Sequence, residues 1–88
     1  MTYIVTFEID NQVRKDVLKN KLKEFEACCP IHDNAWAVYT EKQDFDIIQE
    51  LKDTLIKKDR IFVMKTDRNA SWINPYGDEH VEWMMNNL

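Results

Sequence analysis

Tyr3-Ile4-Val5-Thr6-Phe7-Glu8-Ile9 is the stretch that decides how this chain reads. Tyr3, Val5, Phe7 and Ile9 alternate with Ile4, Thr6 and Glu8. Successive side chains of a strand point to opposite sides, so this period of two predicts a strand with one apolar face. Asp10 and Asn11 follow, and their short polar side chains suit the N-cap of a helix. Beyond them Val13, Val17, Leu18, Leu22 and Phe25 recur at three-to-five-residue steps, the apolar stripe of an amphipathic helix. Lys15, Lys19 and Lys23 fall on another face. Pro30 cannot continue a helix, so the pattern breaks after Glu26.

Ala27–His32 around that proline reads as a short edge strand, because proline weakens a central ladder. Asp33-Asn34 is a two-residue turn, and Ala35–Thr40 the strand that completes a hairpin. Asp44 can cap a second helix whose buried stripe is Ile47, Ile48, Leu51, Leu55 and Ile56. Lys57 and Lys58 suit the negative end of that helix. Arg60–Lys65 is a fourth strand, residues 66–77 are irregular, and Asp78 opens a closing helix with Val81, Trp83, Met84 and Leu88.

The order β-α-β-β-α-β predicts an α+β, ferredoxin-like fold across residues 1–88 as one domain. It implies a four-stranded antiparallel sheet, two helices on one face and an extra C-terminal helix. The other face of the sheet should carry Ile4, Thr6 and Glu8, Trp36 or its neighbours, and Phe62 with Met64. An apolar face of that size calls for a cover. Ile4, Trp36, Phe62 and Met64 are the expected interface residues. The cover is expected to be a second copy of the chain or the closing helix folding back.

Composition bounds the rest. Eighty-eight residues make one core, and a chain this short buries only about two-thirds of its unfolded surface, so dimerisation is a natural source of stability. One glycine and two prolines argue against linkers and against a turn-rich all-β fold. No apolar run approaches the ~20 residues of a membrane span, and no signal-peptide pattern opens the chain. The expected location is the cytoplasm. Cys28 and Cys29 are adjacent, which suits two reduced thiols on a strand and neither a staple nor a zinc set. Net charge is −4, the opposite of the basic footprint of a strong nucleic-acid binder. Residues 1–30 are balanced, so the positive charge that exists is concentrated on the first helix.

Four segments together resemble a known family. Residues 3–9 are similar to the first strand of small bacterial proteins described as SinR-like. These are distant relatives of the small CRISPR-adaptation nucleases and of virulence-associated protein D. Residues 34–40, Asn-Ala-Trp-Ala-Val-Tyr-Thr, are similar to their Trp-containing third strand, and residues 59–65 to their fourth. Trp83 through Asn86-Asn87-Leu88 is similar to their usual ending. The resemblance implies a ferredoxin-like homodimer associated with nucleic acid. It also implies phosphodiester cleavage with Mg²⁺ or Mn²⁺, through an acidic residue at the end of the first strand. The matching position is Glu8, after Phe7, where the relatives usually show Tyr-Asp.

Each polar candidate has a plainer alternative. Glu8 is the candidate catalytic residue, and Glu8 with Asp10 the candidate metal pair, on one face if the strand runs that far. Otherwise Asp10 simply caps a helix and Glu8 sits at a sheet rim. Arg14, Lys15, Lys19 and Lys23 could follow a phosphate backbone, or be a solvated helix face. His32 beside the hairpin turn could be a general base, although no nucleophile accompanies it. His80 has no evident partner. Trp36, Trp72 and Trp83 could stack bases, or anchor the core and interface. Three functions follow: a nucleic-acid-associated dimer with weak or no catalysis, a metal-dependent endonuclease of the toxin-like ribonuclease kind, and a module that binds another protein.

Overall fold

The computed structural model describes residues 1–67 and 69–88. Arg68, inside the stretch expected to be irregular, lies outside the described residues. The described remainder of 66–77 has no regular structure.

The elements are β1 (Thr2–Glu8), α1 (Gln12–Leu22), β2 (Ala27–His32), β3 (Ala35–Tyr39), α2 (Asp44–Leu51), β4 (Arg60–Lys65) and α3 (Asp78–Asn87). The sheet order is β2-β3-β1-β4 with every neighbour antiparallel. This is the α+β, ferredoxin-like arrangement with an additional C-terminal helix. β1 lies between β3 and β4, and its alternation gives it one apolar face. Tyr3, Val5 and Phe7 turn to the helices and bury completely or nearly so with Leu18, Leu22, Ile47 and Leu51.

Asn11 is the cap of α1, its side-chain oxygen accepting the Arg14 backbone N–H at 3.0 Å. The helix is shorter and differently rotated than the apolar stripe predicts. It ends at Leu22, where the Glu24 and Phe25 N–H groups bond three residues back and tighten the turn. Leu18 and Leu22 are buried, whereas Val13 is 72% exposed and Val17 faces solvent as well. The inward row is half-buried Arg14 and buried Leu18 and Leu22, at steps of four, with Arg14 bonded to Asp59.

The second helix also stops early. Asp44 is its first residue rather than its cap, and Gln43 precedes it. A 3₁₀ turn over Lys52–Thr54 follows Leu51, and the Thr54 hydroxyl donates to the Leu51 carbonyl at 2.7 Å. Ile56 is therefore exposed, and Lys57 and Lys58 lie in the turn before β4 instead of on a helix end.

Trp36 corrects the sequence expectation. It stands opposite Val5 in the β1–β3 register, and opposed residues share a face. It is thus part of the helix-side core, while Ala35 and Ala37 take the outer face. Ile4, Phe62 and Met64 do lie on the outer face. The closing helix covers part of it: Met84 buries against Cys29 and Ala37, with Ile4, Ile31, Trp83 and Leu88 around them. Two small residues on neighbouring strands make the room that Met84 fills. The Thr2 hydroxyl donates to the Asn87 carbonyl and fastens the end of α3 to β1. Phe62 and Met64, on the β4 side, stay 61% and 53% exposed.

Candidate functional site

The sheet end that carries Glu8 forms a shallow cavity of about 420 Å³. Thr6, Glu8, His32, Asn34, Arg60 and Phe62 are among its walls. The ladder explains the grouping. Glu8 is the last residue of β1 and stands opposite Arg60, the first of β4, so their side chains meet as an exposed ion pair. His32 arrives from the end of β2 beside the hairpin turn. Its Nδ1 accepts the Asn34 backbone N–H at 3.3 Å, so a neutral ring carries its proton on Nε2. A carboxylate, an imidazole, a guanidinium and an exposed phenyl ring thus share one concavity. No thiol lines it, and Thr6 is its one aliphatic hydroxyl.

Asp10 is not part of this group. β1 ends at Glu8, and the chain bends at Asp10 before the cap of α1. The Asp10 carboxylate accepts from Lys58 at 2.8 Å and from Arg14 at 3.4 Å. The Lys58 ammonium first, then Arg14, holds its pKa below the usual carboxylate value. The expected Glu8–Asp10 pairing on one strand face is therefore corrected. Each carboxylate faces its own basic side chain, and a divalent cation would have to displace Arg60 from one and Lys58 from the other. Among the described residues no group of three or more His, Cys, Asp or Glu is arranged to hold a metal ion. Within one chain, Glu8 and Asp10 thus form two separate ion pairs and not a joint carboxylate site.

The cations of α1 are also engaged. Arg14 forks onto Asp59, with Nη2 to Oδ1 at 2.7 Å and Nε to Oδ2 at 3.2 Å. Lys15 and Lys19, one turn apart, both reach Asp33 in the hairpin turn, at 3.0 and 2.5 Å. Lys19 and then Lys15 push the Asp33 carboxyl below its ordinary pKa. Of the four expected phosphate-contacting residues, Lys23 alone is held by no ion pair among the described residues. It caps the C-terminal end of α1.

A second pair escaped the sequence reading. Cys29 Sγ lies 3.4 Å from His80 Nδ1, so His80 does have a partner. The thiol is 1% exposed, between β2 and α3, and burial pushes its pKa up. The pair packs and hydrogen-bonds within the cover that α3 forms over β2. The signal that could have found it is the apolar outer face, which needs a cover that α3 supplies. Of the other candidates, Trp83 is half-buried in that seat, and Trp72 is partly exposed on the connecting segment.

No protein-family model matches the chain, and no curated protein matches it significantly. No helix among the described residues is long and apolar enough to cross a membrane.

Proposed function

We propose that this chain is a non-enzymatic interaction module that works as a homodimer through the uncovered half of its outer sheet face. One observation carries the reading: Phe62 and Met64 stand side by side on an edge strand and remain more than half exposed, at the margin of the seat of α3. Large apolar side chains grouped on one face mark an interaction surface. The alternative chemistries have less support. The carboxylates of the candidate metal pair face cations, and Arg14, Lys15 and Lys19 are tied to Asp59 and Asp33. A cytoplasmic location belongs to the same reading, because Cys28 and Cys29 are both free thiols.

Light scattering coupled to size-exclusion chromatography tests this. The expected mass is about twice the 10.6 kDa of one chain, and Phe62→Asp should return it to one chain. A monomer at millimolar concentration overturns the proposal.

The cavity favours one second reading, association with single-stranded nucleic acid. Phe62 offers a face for a base, with Arg60 and His32 beside it. Fluorescence anisotropy with single-stranded RNA and duplex DNA at low salt, with and without Mg²⁺ or Mn²⁺, separates the two. Retention that Phe62→Ala abolishes in a monomeric protein supports the nucleic-acid reading. Cleavage lost in Glu8→Ala would instead restore the endonuclease.

A further inference from the structure

The two edges of the sheet are built differently. β2 carries Pro30 within the strand and a register shift between Pro30 and His32. Proline offers no N–H to a new neighbour, and a bulge twists an edge away, so this edge is blunted. β4 has neither device. Its interior, Ile61-Phe62-Val63-Met64, holds no charge, and Arg60 and Lys65 stand only at its ends.

The ladder with β1 shows which backbone groups of β4 are open. The Thr66 N–H donates to the Thr2 carbonyl at 2.9 Å, which continues the register in which Tyr3 faces Lys65 and Ile4 faces Met64. Hydrogen-bonded and non-bonded pairs alternate along an antiparallel ladder. Arg60, Phe62 and Met64 therefore turn their N–H and C=O groups to β1. Ile61, Val63 and Lys65 turn theirs outward, away from the sheet.

We propose that β4 pairs antiparallel with β4 of a second copy about a twofold axis at Val63, joining two sheets into one. The pairing deepens the self-association reading and rests on it. The choice of axis follows from the open groups. With the axis at Val63, Val63 pairs with Val63 and Ile61 with Lys65, so every outward residue of the strand has a partner. An axis at Phe62 leaves Lys65 opposite Asp59, and one at Met64 leaves Ile61 opposite Asp67, both outside the strand.

The side chains agree with this register. Phe62 of each copy stands opposite Met64 of the other, in a non-hydrogen-bonded pair whose Cα atoms approach to about 4.5 Å. The two exposed residues thus cover one another with aromatic–sulfur contacts on the outer face. Arg60 falls opposite Thr66 and Lys65 opposite Ile61, so no like charges confront each other within the strand. On the helix side the aliphatic stem of Lys65 lies along Ile61.

Two experiments test the register. Val63→Pro removes an outward N–H and no bond to β1, so it should fold and weaken dimerisation tenfold or more. Circular dichroism and light scattering read the two effects. Independently, Phe62→Cys and Met64→Cys chains, mixed under mild oxidation, should form a disulfide between positions 62 and 64, identified by peptide mapping. Phe62→Cys alone should not cross-link, because 62 and 62 are diagonal neighbours about 7–8 Å apart, beyond disulfide reach. A wild-type monomer overturns self-association and this pairing together. A wild-type dimer that fails to link 62 with 64, or that links 62 with 62, overturns the edge pairing and leaves self-association standing. So does a folded Val63→Pro chain of unchanged dimer strength.

Discussion

Arg14 holds the Asp59 carboxylate through two parallel hydrogen bonds, at 2.7 and 3.2 Å, and the Asp59 side chain is 1% exposed. The contact ties the first turn of α1 to the loop before β4, 45 residues away. Asp59 also accepts the Ile56 backbone N–H at 3.0 Å. Charge-assisted, forked bonds of this kind fix geometry as well as adding energy. The Arg14 guanidinium is thus a structural clamp between α1 and that loop.

The clamp predicts an acid dependence. Arg14 first, and the Ile56 N–H after it, lower the Asp59 pKa from its ordinary 3.8. A carboxylate whose pKa is lowered on folding contributes stability that is present above the unfolded value and lost as pH falls through the folded one. Asp59→Asn should therefore melt several degrees below wild type at pH 7. The gap should close as pH falls below the ordinary carboxylate value of 3.8. Thermal melts of both proteins across that range check it, and a gap that ignores pH refutes the clamp.

Asp33 gives the second prediction. It faces two ammonium groups, Lys15 and Lys19, so Asp33→Asn frees both. On the nucleic-acid reading, binding to single-stranded RNA should then strengthen, and the slope of log K against log salt should steepen by about 1.4, at ~0.7 per phosphate contact. Anisotropy at several salt concentrations measures the slope. An unchanged slope means the lysines were available already.

Local features of this fold were legible in the sequence and rotations were not. β1, the Asp33-Asn34 turn and the bounds of β2 and β4 follow from alternation and turn chemistry within a few residues. The burial of Trp36 does not, because β3 is apolar on both faces and its parity is set by pairing with Val5. The rotation of α1 depends on Asp59, far along the chain. For the same reason the Cys29–His80 contact has no local signature, and in β4, also apolar on both faces, the outward side of Phe62 and Met64 follows from their pairing with Thr6 and Ile4 of β1.

The seat of α3 is testable through Cys29. The thiol is covered by Met84 and its pKa is raised by burial, so labelling of the native protein should be slow. Met84→Ala leaves a void over Cys29 and Ala37 and loosens the helix. The Cys29 labelling rate should rise tenfold or more, with Cys28, on the other face of β2, as the internal comparison. Mass spectrometry of timed alkylation resolves the two. Equal rates in wild type and variant would mean that α3 does not shield the thiol.

The rotation of α1 yields the sharpest contrast. Leu18 is fully buried against the sheet, and Val13 is on the opposite side of the same helix. Truncating a buried leucine removes transfer energy and leaves a cavity, so Leu18→Ala should lose about 2–5 kcal/mol. Val13→Ala removes exposed methyl groups and gains helix propensity, so its change should stay within about 0.5 kcal/mol. Urea unfolding at neutral pH measures both. Comparable losses at the two positions would mean that α1 presents its valine stripe to the sheet, which would in turn carry Arg14 away from Asp59. The two substitutions therefore test the helix rotation and the Arg14 clamp at once.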